Sequence, residues 1–289
     1  MRRLAVLASS GQPQAAKTPL PRSAAERTAG FGWVPLLAKV ERLSIELTRA
    51  CAKGCSFCYN GSSPRGATEW RVDEVLALAE DCIRHGLESI SFGGGEPLQY
   101  SGLFQLLERL EGQCFRSLTT NGLLLDRRLQ RLVAARPDKV HVSLHFPDDG
   151  EEVRRVSRQV RMLGDHGIRS GVNLLVCRSK LEEARAARQQ LEAAGITPSQ
   201  ILLLPMRGQE TPTAQEIIWV AGKKHFQSVT CLSACAASPR FVALGWDRRV
   251  GWCSYTTSRR PLGELSHRGV VAALRGLELR TCGPSPARG

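Results

Sequence analysis

Hydrophobic positions between residues 40 and 205 alternate between two periods, and that alternation predicts the architecture. Val40–Leu47 is strand-like, and Val72–His85 places Val75, Leu76, Leu78, Ala79 and Ile83 at helical spacing. Leu87–Phe92 is a short apolar strand ending in glycines, and Leu103–Leu110 is helical. Phe115–Thr120 reads as a strand, after which the turn Asn121-Gly122 leads into a helix over Leu125–Ala135. The rhythm continues with strand Val140–Phe146, helix Glu151–His166 and strand Ile168–Cys177. Helix Leu181–Ala194 is stopped by Gly195, and strand Ile201–Leu204 follows.

These six β-α-type repeats have strands that read as too apolar to be half exposed. Such a pattern requires a parallel sheet covered by helices, with right-handed crossovers. Periodicity alone leaves a doubly wound sheet and a partial barrel both open. Residues 1–38 are rich in Ala, Pro, Arg, Ser and Gly without periodicity, and read as a flexible leader before an ordered unit over 39–205. From 206 the rhythm breaks. Residues 206–289 hold four of the ten cysteines and three of the five tryptophans, with no long amphipathic helix. They are expected to form a small second unit or C-terminal extension.

Composition changes this picture little. The 289 residues are 42% hydrophobic and 23% charged, ordinary for a globular protein. Ten cysteines raise the idea of a disulfide scaffold, but the length and the clustering of the thiols point to free thiolates in a reducing cytoplasm. The apolar run Leu4–Ala8 falls short of the ~7–15 residues of a signal sequence. No stretch approaches the ~20 apolar residues of a membrane span, so a soluble cytoplasmic chain without a membrane partner is expected. The net charge of +13 invites a nucleic-acid reading. Yet Arg154, Arg155, Arg158, Arg161, Arg185 and Arg188 are scattered through helices without aromatic interleaving, as on a solvated surface. Nucleic acid is therefore not expected, while an acidic peptide or a phosphorylated substrate would profit from the field.

Candidate chemistry concentrates in Cys51-Ala-Lys-Gly-Cys55-Ser-Phe-Cys58, directly after the first strand. Soft thiolates suit zinc or an iron–sulfur cluster. Zinc would want a fourth ligand nearby, and no Cys or His lies between Cys58 and Cys82. A cluster held by three thiolates leaves one iron open, and Gly54 lets the backbone wrap closely around it. The C-x3-C-x2-C spacing with Phe57 before the third cysteine, followed by Gly93-Gly94-Gly95-Glu96-Pro97, resembles the radical S-adenosylmethionine superfamily.

That resemblance implies a partial (β/α)6 barrel with its motifs at the C-terminal ends of the strands. It implies a [4Fe–4S] cluster on Cys51, Cys55 and Cys58, S-adenosylmethionine on the open iron, and an electron donor of the flavodoxin or ferredoxin type. Reductive cleavage would yield a 5′-deoxyadenosyl radical that abstracts a substrate hydrogen. Gly94 and Gly95 would permit backbone approach, and Glu96 would meet the methionine ammonium. Phe57 would pack near the adenine or simply shield the cluster. Thr119-Thr-Asn-Gly122 and Val142-Ser-Leu-His145 resemble family segments and imply Thr119 and Ser143 near the cofactor's carboxylate and ribose. Asn173 would touch the ribose, with Leu202–Pro205 and Met206 bordering the adenine. His145 stands where many relatives carry an acid; a proton donor, a substrate contact and a structural histidine all remain open.

Cys82, Cys114 and Cys177 are expected to behave as small buried hydrophobes. Cys231, Cys235, Cys253 and Cys282 are different. The stretch Gly245-Trp-Asp247-Arg-Arg-Val-Gly-Trp-Cys253, with Pro261-Leu-Gly-Glu-Leu265 after it, resembles the β-hairpin of SPASM or twitch extensions, with Arg248 standing at their glycine. A second [4Fe–4S] cluster on these four thiolates is implied, and zinc or unligated thiols remain open. For substrate, the extension and the positive field imply a ribosomally made peptide. The alternative is a small molecule, because Thr119–Leu125 and its distance to Val142–Leu144 resemble the GTP cyclase of molybdenum-cofactor biosynthesis.

Overall fold

The computed structural model of the protein describes residues 40–222 and 241–279. The repeating part runs β1 (Arg42–Thr48), α1 (Val72–Arg84), β2 (Ser89–Gly94), α2 (Leu103–Arg109), β3 (Phe115–Thr120) and α3 (Leu125–Ala135). It continues with β4 (Lys139–Leu144), α4 (Gly150–Asp165), β5 (Ser170–Val176), α5 (Leu181–Ala193), β6 (Ile201–Pro205) and α6 (Ala214–Ala221). Beyond it lie β7 (Phe241–Leu244), β8 (Arg249–Gly251), β9 (Arg260–Pro261) and α7 (His267–Leu274).

The nine strands among the described residues join one sheet in the order β6-β5-β4-β3-β2-β1-β7-β8-β9. Strands β1 to β6 pair in parallel, and β7 lies parallel to β1 on its other edge. The strand order is sequential, so every right-handed crossover steps the same way and puts its helix on the same side. A doubly wound sheet would reverse its order at a switch point. Monotonic order decides for the partial barrel.

Side-chain alternation carries the same result. Leu43, Ile45 and Leu47 on β1, Ile90 and Phe92 on β2, and Val140, Val142 and Leu144 on β4 are buried in the core shared with the helices. Burying each such aliphatic side chain contributes roughly 1.5–3 kcal/mol. The intervening positions are Ser44, Glu46, Ser91, Gly93, Ser117, Thr119, His141, Ser143 and Asn173, and they line the opposite, concave face. On β1–β4 the helix side is apolar and the opposite side largely polar, whereas on β5 and β6 Leu175, Leu202 and Leu204 share the face of Asn173. The concave side is thus polar along β1–β4 and apolar toward β6, and its polar residues reach one another across the sheet.

In the region after 206, α6 and α7 are short regular helices of eight residues each. Thr213 caps α6 through Glu216 N–H, and Ser266 caps α7 through Gly269 N–H. The hairpin expected around Asp247 is present as β7–β8, closed by Gly245 N–H to Arg249 O at 2.8 Å. Arg248 occupies its left-handed turn position at φ 60°. Because β7 continues the barrel sheet from β1, the described part of this region is built onto the barrel. No helix among the described residues is long and apolar enough to cross a membrane.

Candidate active site

The cysteine loop leaves the C-terminal end of β1 and is closed at its base by a parallel bridge between Ala50 and Ser63. Cys51 N–H donates to Ser63 O at 2.9 Å, and Cys58 N–H to Cys55 O at 3.1 Å. Gly54 sits at φ +56°, where a side chain would be strained. Cys51, Cys55 and Cys58 are all partly exposed and unpaired. Burial pushes the Cys55 thiol up to about 11; the Lys53 ammonium draws it back, while charge on Cys51 and Cys58 adds to the rise. No three His, Cys, Asp or Glu side chains among the described residues are grouped to hold a single metal ion. The donor set, three accessible thiols on a glycine-hinged loop, fits a larger multi-iron cluster better than a lone zinc ion.

The glycine segment ending β2 is pinned to this loop. Gly95 N–H donates to Thr48 O at 2.7 Å and Glu96 N–H to Ala50 O at 2.8 Å. A Cβ at Gly94 would lie 2.8 Å from Glu46 Cα, and one at Gly95 only 2.2 Å from Ala50 O, so both approach backbone too closely for any side chain. Gly93 is different: a Cβ there would meet nothing within 4 Å, which leaves open lumen in front of it. Glu96 is buried and its carboxylate is engaged. Its Oε1 accepts from Thr120 Oγ1 at 2.7 Å and Leu98 N–H at 3.0 Å, and its Oε2 from Asn121 N–H at 2.8 Å. Desolvation raises its carboxyl above the usual range against the pull of these donors. Asn121 Nδ2 in turn donates to Cys51 Sγ at 3.4 Å. One chain of contacts therefore joins the Gly-Gly-Glu segment, the Thr-Asn-Gly turn and the cysteine loop. Thr120 and Asn121 make these contacts, while Thr119, one residue earlier on β3, pairs with His141 of β4.

A second set of contacts holds the loop from the β4 side. Lys53 Nζ lies 2.7 Å from both carboxylate oxygens of Glu152, with side chains only 9% and 6% exposed. Glu152 also accepts His145 N–H at 2.8 Å. His145 Nδ1 is 3.9 Å from Cys55 Sγ. Burial, with Lys53 and Arg155 adding to it, pushes the His145 imidazole down to about 3, so it is neutral. Phe57 packs edge-on against His145 and Phe146 at 6.1 and 5.6 Å. Lys53 stands between two of the cysteines and could have been noticed as a charge placed in the motif. Its partner lies 99 residues away and left no signal.

Along the lumen, Thr119 pairs across from His141, and Ser143 from Asn173. Asn173 Oδ1 is 2.7 Å from His141 Nδ1. Glu46 is held at the mouth by Arg259 from the C-terminal region, through contacts of 2.7 and 3.2 Å. Burial raises its carboxyl above the ordinary range, and Arg259 opposes the rise. Arg259 Nη2 also donates to Ser254 O, so the segment after β8 is tied down over the lumen.

Cys82 is fully buried and Cys177 nearly so, while Cys114 is half-buried. Cys253 is partly exposed after β8, and its sulfur accepts from Tyr255 N–H at 3.5 Å. Cys231, Cys235 and Cys282 lie outside the described residues.

The family model of the Radical SAM superfamily matches residues 45–205. A GTP 3′,8-cyclase of Streptomyces coelicolor is 29% identical over 242 residues, covering 78% of this chain and 62% of that protein. A PqqA peptide cyclase of Granulibacter bethesdensis is 28% identical over 173 residues, covering 55% and 46%. The chain thus spans less than two thirds of the length of either relative. Among solved structures, Streptococcus suis SuiB bound to its precursor peptide SuiA is similar with a TM-score of 0.65. The match is at 13% identity, over 86% of this chain and 70% of that one.

Proposed function

The chain belongs to the radical SAM superfamily, and on that premise we propose that it uses a 5′-deoxyadenosyl radical to modify a ribosomally synthesised peptide. Membership carries a [4Fe–4S] cluster and S-adenosylmethionine. The cluster, when bound, supplies the electron that cleaves the sulfonium. The observation that carries the reading is the convergence of three motifs at one end of the sheet. Cys51, Cys55 and Cys58 sit on a loop that Gly95 and Glu96 fasten by backbone bonds, with the Asn121 amide on the Cys51 sulfur.

In this reading the three cysteines hold the cluster. Asn121 and the neutral His145 orient sulfurs, and the Lys53–Glu152 pair fixes the loop against β4. Phe57 and Phe146 keep water from that side. Thr119, Ser143 and Asn173 offer polar groups to the cofactor along the lumen. Glu96 keeps Thr120, Asn121 and Leu98 in place, and Gly94 and Gly95 let β2 approach β1. The open space before Gly93 receives the reacting part of the substrate. An electron donor of the flavodoxin or ferredoxin type reduces the cluster, and a reducing cytoplasm keeps the thiols free. Cys231, Cys235, Cys253 and Cys282 hold a second [4Fe–4S] cluster in a twitch-like extension.

The peptide substrate draws support from the likeness to SuiB with SuiA and from the PqqA peptide cyclase. The small-molecule alternative draws support from the GTP 3′,8-cyclase, whose match reaches over 78% of this chain.

The test is anaerobic reconstitution, reduction and incubation with S-adenosylmethionine. Wild type is expected to release 5′-deoxyadenosine. Replacing Cys51, Cys55 and Cys58 together with Ala is expected to remove about four irons and all cleavage. Cleavage retained in that variant would sink the assignment. About eight irons in wild type and about four after replacing the C-terminal cysteines would support the second cluster. Stimulation of cleavage by guanosine triphosphate, and not by a precursor peptide encoded beside the gene, would favour the alternative.

A further inference from the structure

We propose that His141 is the positioning residue of the cofactor pocket: it holds the Asn173 amide so that its NH2 group faces the lumen mouth as a hydrogen-bond donor to S-adenosylmethionine. The inference rests on the reading that Asn173 borders the cofactor.

The two residues stand diagonally on the concave face, since Gly171 is opposite His141 and Asn173 is opposite Ser143. Their contact of 2.7 Å joins His141 Nδ1 to Asn173 Oδ1. A carbonyl oxygen only accepts, so this contact places the ring proton on Nδ1 and leaves Nε2 as a bare lone pair. Nε2 is sealed from solvent with no partner. Gly171 lies beside it: a Cβ there would stand 3.4 Å from Nε2, an ordinary contact, and would offer the ring no polar partner. The imidazole therefore makes a single polar contact, and that contact sets which way the Asn173 amide points.

Asn173 itself is 6% exposed. With its oxygen engaged by His141, its Nδ2 meets no acceptor among the described residues, yet it is not among the polar atoms cut off from solvent. Without the imidazole, the amide could turn over and present its oxygen to the lumen, which would repel a ligand that needs a donor. Holding a donor in its bound orientation lowers the ordering cost of binding.

The experiment is calorimetric titration of the anaerobically reconstituted protein with S-adenosylmethionine, with iron content checked for each variant. His141→Phe is expected to weaken binding about five- to tenfold, the size of one hydrogen bond. Asn173→Ala is expected to weaken it similarly, and the double variant no more than Asn173→Ala alone, because His141 acts only through Asn173. His141→Asn, which puts an amide donor where Nδ1 was, should restore binding to within about twofold of wild type. If the bulk of Phe prevents folding, His141→Ala carries the same test. Wild-type affinity in His141→Phe or His141→Ala with a weakened Asn173→Ala would overturn the inference and leave the pocket reading intact. So would multiplicative losses in the double variant, or failure of His141→Asn to rescue. Unchanged affinity in Asn173→Ala would overturn the placement of Asn173 at the cofactor, and the inference with it.

Discussion

At the scale of single residues, the loop that carries the three cysteines is held by a buried ion pair as much as by its own turns. Lys53 gives both its short contacts to Glu152, and both side chains are nearly sealed from solvent. Deleting one member leaves the other as an uncompensated buried charge, which is worse than deleting both. Lys53→Ala is expected to destabilise the protein by about 3 kcal/mol. Glu152 would retain His145 N–H and Arg155 at 4.0 Å. The double replacement Lys53→Met with Glu152→Leu should recover most of the loss in urea unfolding. Additive losses would show that the pair is not a unit. The three cysteines stood out by their spacing, because a loop that could carry ligands is local in sequence. Glu96 stood out in the sequence as a candidate carboxylate, but its engagement with Thr120 and Asn121 depends on where β3 ends relative to β2. That relation is a property of the sheet.

At the scale of elements, helices and strands of the barrel follow the apolar periods closely: β3 and α3 have the boundaries the pattern implied. The C-terminal hairpin shows what periodicity misses. Its turn puts Arg248 in the left-handed region, where L side chains cost about 1–2 kcal/mol and glycine costs little. Arg248 is kept there by Nη2 contacts to Glu74 Oε2 at 2.7 Å and Glu69 O at 3.0 Å, with its guanidinium 5.4 Å from the Trp70 ring centre. Those contacts tie the hairpin to the start of α1. Arg248→Ala keeps the strain and loses the ties, whereas Arg248→Gly loses the ties and relieves the strain. The Gly variant should therefore be more stable than the Ala variant by about 1 kcal/mol, read as the difference in denaturant midpoint at equal slope. The reverse order would mean that the turn carries no strain.

At the scale of the whole molecule, the C-terminal helix docks on the first barrel helix through two stacked histidines. His85 and His267 have ring centres 4.7 Å apart and planes 1° from parallel. Asp81, itself bound to Arg84, accepts the His267 N–H at 2.7 Å. Burial, with charge on His85 adding to it, lowers the His267 imidazole below its ordinary value, while Asp81 pulls the other way. The folded chain then binds fewer protons at this site than the unfolded chain. Its stabilising share is complete above the ordinary histidine value of about 6.5 and is lost as pH falls below it. His267→Phe removes the site, so its melting temperature should gain on wild type as pH falls from about 7.5 to about 5.5. Parallel curves for the two proteins would show that the stack does not titrate with folding.

What the sequence determined by itself was whatever is local along the chain. The apolar periods set the helices and strands, and the tight spacing of Cys51, Cys55 and Cys58 around Gly54 marked the candidate metal loop. The motif at Gly93–Glu96 marked its neighbour. Only the tertiary structure decided the rest. The sequential strand order chose a partial barrel over a doubly wound sheet, because pairing between strands is not written in their periods. The polar lumen emerged because one face of each strand turns away from the helices. The partnerships Lys53–Glu152, His141–Asn173 and Glu46–Arg259 span 99, 32 and 213 residues. Contacts at such separations form only once the strands have paired and the later segments have packed on them, so the residues that hold the site in shape could not be read before the topology was known.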